Sequence, residues 1–270
     1  MKAKILITAI ALVMILAIAE IALRTFDFWG IDYLYDKQLT VRSTIQVDGQ
    51  VVLPAGALIG KRYTATIRDD YTRLVPASQP SECQIIFIGD SFTFGLFVED
   101  DETFANLIAQ ELEDIEFLNA GLSAYNGTQV RQSMERFPNA DGFVWLLLSN
   151  DAEPSIGSGG NPQRPDKLYI KEYYDYWQFR KEKPRERPPS DYRKLISTIQ
   201  AIAERGTLFF SYNLTPDINA MLSEYTIIAV DQDPNQFRVA YTDRHPNEAG
   251  HQDLANRMIP YIQSYVTEVC

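Results

Sequence analysis

Gly89-Asp90-Ser91-Phe92 and Asp243-Arg244-His245-Pro246-Asn247 carry the residue types of acyl transfer: a hydroxyl, an imidazole and a carboxylate. A serine hydroxyl is a weak nucleophile until a base within hydrogen-bond reach takes its proton, and that base needs a group to orient it. The 270-residue chain holds two histidines, His245 and His251, so imidazole chemistry near neutral pH has few carriers. His245 stands two residues after Asp243 and directly before Pro246, which suits the first position of a helix, so His245 is expected at or near the N-cap. A helix N-terminus disfavours imidazolium, and Asp243 is the carboxylate expected to stabilise that charge as His245 takes the Ser91 proton. His251 is expected to be an exposed or packing residue of the same helix.

Two further stations have the composition of an oxyanion site. Asn119-Ala120-Gly121 and Ser149-Asn150-Asp151 each follow an apolar run. Gly121 allows close backbone approach and offers its N–H, and Asn150 offers a side-chain amide. With the N–H of Ser91 they make a three-donor set, Ser91, Gly121 and Asn150, for a developing oxyanion. Singly, each is also ordinary loop composition.

The elements that must position these residues follow from periodicity. Ile85-Ile86-Phe87-Ile88 is a continuous apolar run, as suits a strand buried on both faces of a parallel sheet. A helix is expected over 103–113, a strand over 115–118, a helix over 128–137 and a strand over 143–148. A helix over 192–204, strands over 208–210 and 227–230, and a final helix from Pro246 to about Val266 continue the alternation. This rhythm predicts an α/β fold, a parallel sheet covered on both faces. Ligands of such sheets sit beyond the strands' carboxyl ends, where Ser91, Gly121 and Asn150 all fall.

Outside that core the sequence divides further. Met1-Lys2-Ala3-Lys4 precedes an apolar run over 5–19, the pattern of a membrane-directed segment whose start stays in the cytoplasm. Residues 1–24 are read as an anchor, with residues 5–23 in the membrane and Glu20 and Arg24 paired one turn apart; a signal cleaved near Ala19 and a buried amphipathic helix are the alternatives. Residues 25–81 are read as an extended arm with short strands, including a turn at Val47-Asp48-Gly49-Gln50. Residues 82–270 form the main domain, interrupted at 152–190 by an insertion rich in aromatic and basic residues. The insertion is either a cap packing its own aromatics or a working surface: a lid, a sugar-stacking face or an aromatic patch at a membrane.

The formal net charge of -11 argues against nucleic acid, which needs a clustered basic surface. Two histidines without cysteine partners make a poor metal site, and no glycine-rich phosphate loop appears, so neither metal nor cofactor is expected. Cys83 and Cys270 are read as two unrelated thiols, with pairing in an oxidising compartment the alternative.

Gly89-Asp90-Ser91-Phe92, Asn119-Ala120-Gly121, Asn150-Asp151 and Asp243-Arg244-His245-Pro246-Asn247, in this order, resemble the blocks of the SGNH, or GDSL-type, hydrolase superfamily, especially bacterial members with an N-terminal hydrophobic segment. The resemblance covers about residues 82–268. It implies a three-layer α/β/α sandwich with a flavodoxin-like parallel sheet, Ser91 as nucleophile, Gly121 and Asn150 at the oxyanion, and His245 with Asp243 completing a triad. Leu148 stands where a glycine is common, and Asp243 is two rather than three residues before the histidine. The resemblance implies a serine esterase acting outside the cytoplasm on a small acyl ester, an O-acetyl group on a carbohydrate. An O-acyltransferase passing the acyl group to a glycan hydroxyl, and a non-catalytic glycan-binding or scaffold protein, are the alternatives.

Overall fold

The computed structural model of the chain describes residues 2–27, 30–152, 168–171, 174, 177–178, 192–241 and 243–270. Five strands make the central sheet, and their composition explains why they are central. With two hairpins preceding them as β1 to β4, they are β5 (Gln84–Ile88), β6 (Glu116–Asn119), β7 (Gly142–Leu147), β8 (Thr207–Ser211) and β9 (Ile227–Ala229). All pair parallel, in the order β6-β5-β7-β8-β9. Successive side chains of β5 face opposite ways, and both sets are apolar. Ile86 and Ile88 join one buried cluster with Leu118, Trp145 and Phe209, whereas Ile85 and Phe87 join another with Phe117, Val144 and Phe210.

Helices cover both faces, giving the three-layer α/β/α sandwich. After α1 (Lys2–Phe26), α2 (Ile31–Arg42) and the four-residue α3 (Ser91–Phe94) come α4 (Phe104–Glu111), α5 (Gly127–Met134) and α6 (Tyr192–Ala203). The short α7 (Pro216–Met221) and α8 (Pro234–Phe237) precede α9 (Glu248–Val269). Leu195, Ile199 and Ile202 of α6 enter the first cluster; Phe104 and Ile108 of α4 and Leu254, Met258 and Ile262 of α9 enter the second. The chain leaves β5 toward β6 on one side and returns to β7 on the other, so β5 ends at the switch point of the sheet, the place where ligands of such sheets bind.

The segment before the sheet is less extended than its sequence suggests. β1 (Ile45–Val47) and β2 (Gln50–Val52) form the expected hairpin across Asp48 and Gly49, and β3 (Gly56–Ile59) pairs with β4 (Thr64–Ile67). Helix α2, however, stands where an extended chain is expected. Its buried face carries Asp32, Asp36 and Thr40, each four residues from the last, so the period of a helix is present without apolar residues to reveal it. The Asp36 carboxylate accepts the N–H groups of Lys61 and Arg62 at 2.7 and 2.8 Å. Arg73 then sews this segment to the core: its N–H donates to Asn119 O at 2.8 Å, and its buried guanidinium holds Asp100 Oδ1 at 2.8 Å and the carbonyls of Phe94 and Val98.

Two expectations need correction, and one alternative falls away. Helix α9 starts at Glu248, not at Pro246, because Asn247 caps it by accepting the Gly250 N–H at 2.9 Å. Pro246 instead ends strand β11 (Asp243–Pro246), which pairs antiparallel with β10 (Arg238–Ala240). The cysteines are not separate thiols: Cys83 and Cys270 form a disulfide, their Cα atoms 5.7 Å apart. Helix α1 is exposed along its apolar length, which rules out the buried amphipathic helix; it is the one helix among the described residues long and apolar enough to cross a membrane. Of the insertion's aromatics, Tyr173, Tyr176 and Phe179 lie outside the described residues, as do residues 153–167 and 179–191.

Candidate active site

The site begins where β5 ends. Gly89 takes φ 153°, and a Cβ there would lie 2.2 Å from Thr93 Oγ1, so only glycine lets the strand turn directly into α3. Asp90 caps that helix, accepting the Phe92 N–H at 2.9 Å, and Ser91 becomes its first residue. The backbone N–H of a first helical residue has no partner within the helix and points out of its end.

Ser91 Oγ lies 2.7 Å from His245 Nε2. His245 Nδ1 is hydrogen-bonded to Asp243 Oδ1, which also accepts the backbone N–H of His245 at 3.0 Å. The two-residue spacing follows from β11 being a strand, since residues i and i+2 of a strand project from one face. Asp243 thus orients the ring and fixes its proton on Nδ1, leaving Nε2 to receive one from the hydroxyl. The Ser91, Asp243 and His245 side chains are all buried, Ser91 to 7% exposure. Burial alone would raise the Asp243 carboxyl, but the hydrogen bond and charge of His245, followed by the charge of Lys37, hold it far below the usual carboxylate range.

Aromatic rings close on the imidazole from two directions. Phe92 lies tilted against it at 4.9 Å between centroids, and Phe97 meets it edge-on at 5.2 Å. Phe97 adopts φ 79°, a left-handed backbone that is costly for a bulky residue, and packs in turn on Tyr33 of α2 at 5.1 Å. Helix α2 also brings Lys37, whose Nζ is 3.8 Å from Asp243 Oδ2. Neither Lys37 nor Phe97 carries a local sequence signal, because each reaches the dyad only through tertiary packing.

The expected oxyanion donors are distributed unevenly. Asn150 Nδ2 donates to Asp90 Oδ2 at 2.8 Å, which orients the amide and leaves its second hydrogen for another acceptor. The fully buried Asp90 and Asp151 share this corner. Burial, with the charge of Asp90 added, pushes the Asp151 carboxyl well up; burial also raises Asp90, against the hydrogen bonds from Asn150 and Phe92. Asp151 is thus the more strongly raised of the two, and Asp90 is the one that holds Asn150.

Gly121 differs from expectation. Its N–H donates to Asn119 Oδ1 at 3.1 Å, and a Cβ there would lie 2.5 Å from Phe94 N and 2.8 Å from Thr93 C. The glycine does permit a close approach, but to the chain's own helix α3 rather than to a ligand. Asn119 Nδ2, donating to Thr93 O at 2.8 Å, fastens the same contact.

His251, the second histidine, is wholly buried on α9. Its Nδ1 accepts the Phe104 N–H at 3.2 Å and its ring stacks on Phe104 at 5.8 Å. Burial, then the positive charges of Arg73 and His245, bring its pKa down to about 3.

No protein-family model and no curated protein matches the sequence. Solved structures similar to this one include a lipolytic protein of the G-D-S-L family from Veillonella parvula, at 16% identity and a TM-score of 0.42 over 67% of this chain and 98% of that one. A family two carbohydrate esterase from Cellvibrio japonicus matches at 14% identity and a TM-score of 0.41, over 73% of this chain and 65% of that one. A psychrotrophic esterase from Pseudoalteromonas sp. matches at 12% identity and a TM-score of 0.44, over 69% of this chain and all of that one.

Proposed function

We propose that the chain is a serine esterase that cleaves a small acyl ester through an acyl-serine intermediate. The observation that carries this reading is the relay from Ser91 Oγ through His245 Nε2, at 2.7 Å, to Asp243 on Nδ1. Ser91 Oγ attacks the ester carbonyl while His245 takes its proton; Asp243 stabilises the imidazolium, which then protonates the departing alkoxide. Water repeats the sequence on the acyl-serine, His245 again serving as base, and releases the acid.

The developing oxyanion meets the Ser91 N–H and the free hydrogen of the Asn150 amide. The loop after β6 runs beside the nucleophile turn, with Leu122 N–H on Gly89 O at 3.2 Å. Its exposed residue is Ala124, held at φ 69°, and strain of this kind collects at working sites, so the Ala124 N–H is the third donor in this reading. Phe92 and Phe97 pack on the imidazole at 4.9 and 5.2 Å, and the acyl group in this reading is one as small as acetyl. A carbohydrate is the proposed carrier of the ester. Work outside the cytoplasm is supported by the lysines before α1 and by the disulfide, which suits an oxidising compartment.

The test is labelling with a fluorophosphonate probe beside Ser91→Ala and His245→Ala. Wild-type labelling that both substitutions abolish is expected; no wild-type labelling, or equal labelling of S91A, overturns the reading. Acetate release from acetylated glycans with and without a sugar acceptor separates hydrolysis from transfer.

A further inference from the structure

Helix α1 is not joined to the rest of the protein by a tether. Glu20, the first charged residue after the apolar run, accepts the N–H groups of Tyr169 and Ile170 at 2.9 and 3.0 Å, and Arg24 holds Glu20 at 2.6 Å while lying 4.7 Å over the Tyr169 ring. Tyr169 in turn bonds Asp32 of α2, and Lys61 holds both, at 2.7 Å to the phenol and 2.8 Å to the carboxylate. Asp27, just beyond α1, accepts the N–H groups of Ile31 and Asp32 at the start of α2 and pairs with Arg62 at 3.3 Å. Leu23 packs with Ile31 and Tyr169. The end of α1, the start of α2 and the 168–171 segment are thus one interlocked block.

Two consequences concern the bilayer. The side chains of Leu168, Tyr174 and Trp177 are exposed, Trp177 with its ring 6.3 Å from that of Tyr174, and Leu168, Ile170 and Tyr174 line an apolar groove with Val13, Leu16 and Ile21 of α1. One wall of the groove is the exposed apolar helix itself, long enough to cross a bilayer, which makes lipid the occupant that fits; an aromatic pair and Lys171 at the end of such a helix match the composition of the interfacial belt. Lys37, six residues into α2, touches Asp243 at 3.8 Å. At 1.5 Å per helical residue, Asp32 of the interlocked block and Lys37 stand roughly 8 Å apart along α2, so the same short helix joins the block to Asp243.

We propose that α1 is retained as a rigid stem, that the face carrying Leu168, Tyr174 and Trp177 lies on the bilayer, and that the site acts on an ester carried by a lipid-linked saccharide. The proposal rests on the esterase reading for its chemistry but not for its seating on the membrane, so the two are tested apart.

For the seating, the full chain is reconstituted in phosphatidylglycerol–phosphatidylcholine vesicles containing lipids brominated on the acyl chain. Tryptophan quenching that diminishes in W177F is expected; quenching equal in wild type and W177F overturns the seating. A membrane-fraction protein whose mass shows cleavage near Ala19 overturns retention. For the substrate, an acetylated glucosyl-diacylglycerol in the same vesicles is compared with the same acetylated glucoside carrying a methyl aglycone. A kcat/KM higher on the lipid-linked ester by at least about tenfold is expected from confinement to one surface. L168S with W177S should lower that ratio. Equal rates, or hydrolysis of a soluble acetate ester with neither glucoside cleaved, overturn the substrate class and leave the esterase reading standing. Absence of any ester cleavage and of probe labelling defeats the esterase reading, and the substrate class with it, while the quenching result still decides the seating.

Discussion

His245 and His251 lie six residues apart, both buried and both against phenylalanine rings, yet their surroundings prepare them for opposite ends. His251 has a backbone donor on one nitrogen and no carboxylate, so burial keeps it neutral down to about pH 3. His245 has a hydroxyl on one nitrogen and a carboxylate on the other. Burial alone disfavours imidazolium; in the proposed mechanism the carboxylate on Nδ1 is what lets His245 serve as a base.

The comparison breaks most sharply at the relay itself. Ser91→Ala and His245→Ala should each lower kcat by on the order of a millionfold in steady-state ester hydrolysis, because relay members act as a unit. Asp243→Asn keeps the shape but offers the ring the wrong hydrogen-bond partner, and a loss of about ten-thousandfold in kcat is expected. A D243N enzyme with near-normal kcat would mean that the carboxylate is not what distinguishes the two histidines.

Smaller effects sharpen it. Lys37 is half-exposed, and ion pairs of that kind contribute about 0–1 kcal/mol, so Lys37→Met should cost no more than about fivefold in kcat/KM. Its signature is in the pH profile. Lys37 is one of the charges that hold the Asp243 carboxyl down, so removing the lysine should let that carboxyl titrate at a higher pH. His251→Leu should leave kcat within about twofold and cost about 1–3 kcal/mol of stability through the orphaned Phe104 N–H.

The His251 variant also has a pH signature. An unfolded His251 binds a proton below about pH 6.5, but the folded one does so only near 3, so this residue's contribution to stability falls as pH drops through that window. The raised carboxyls of Asp90 and Asp151 act in the opposite sense. Urea titrations between pH 4 and 7 should therefore show a shallower acid decline in H251L than in the parent, and parallel curves would contradict a neutral buried His251.

The central sheet was legible because β5, β7 and β8 are continuous apolar runs, and a strand buried on both faces has no other composition available. Ser91 and His245 were legible for a different reason, the scarcity of imidazole. Helix α2 was hidden because what it buries is Asp32, Asp36 and Thr40, satisfied by partners that lie 23 to 29 residues on and, for Asp32, also by Tyr169. The strand at Asp243–Pro246 was hidden because Pro246 also opens helices, and Asn247, a better cap, stands one residue later. Gly121 shows the limit of reading glycine: a demand for close approach is visible in sequence, but not what approaches. Lys37 and Phe97 lie beyond any local pattern, since only the packing of α2 and the turn after α3 brings them to the ring.

The Cys83–Cys270 bond closes a covalent ring around 187 residues of separation, and both Ser91 and His245 belong to it. In the chain-entropy account, so long a loop contributes up to about 5 kcal/mol. It also changes what a protease can do. A single cut anywhere between Ser91 and His245 opens the ring but severs nothing: the half bearing Ser91 and the half bearing His245 leave together as one disulfide-linked molecule, until a reductant separates them.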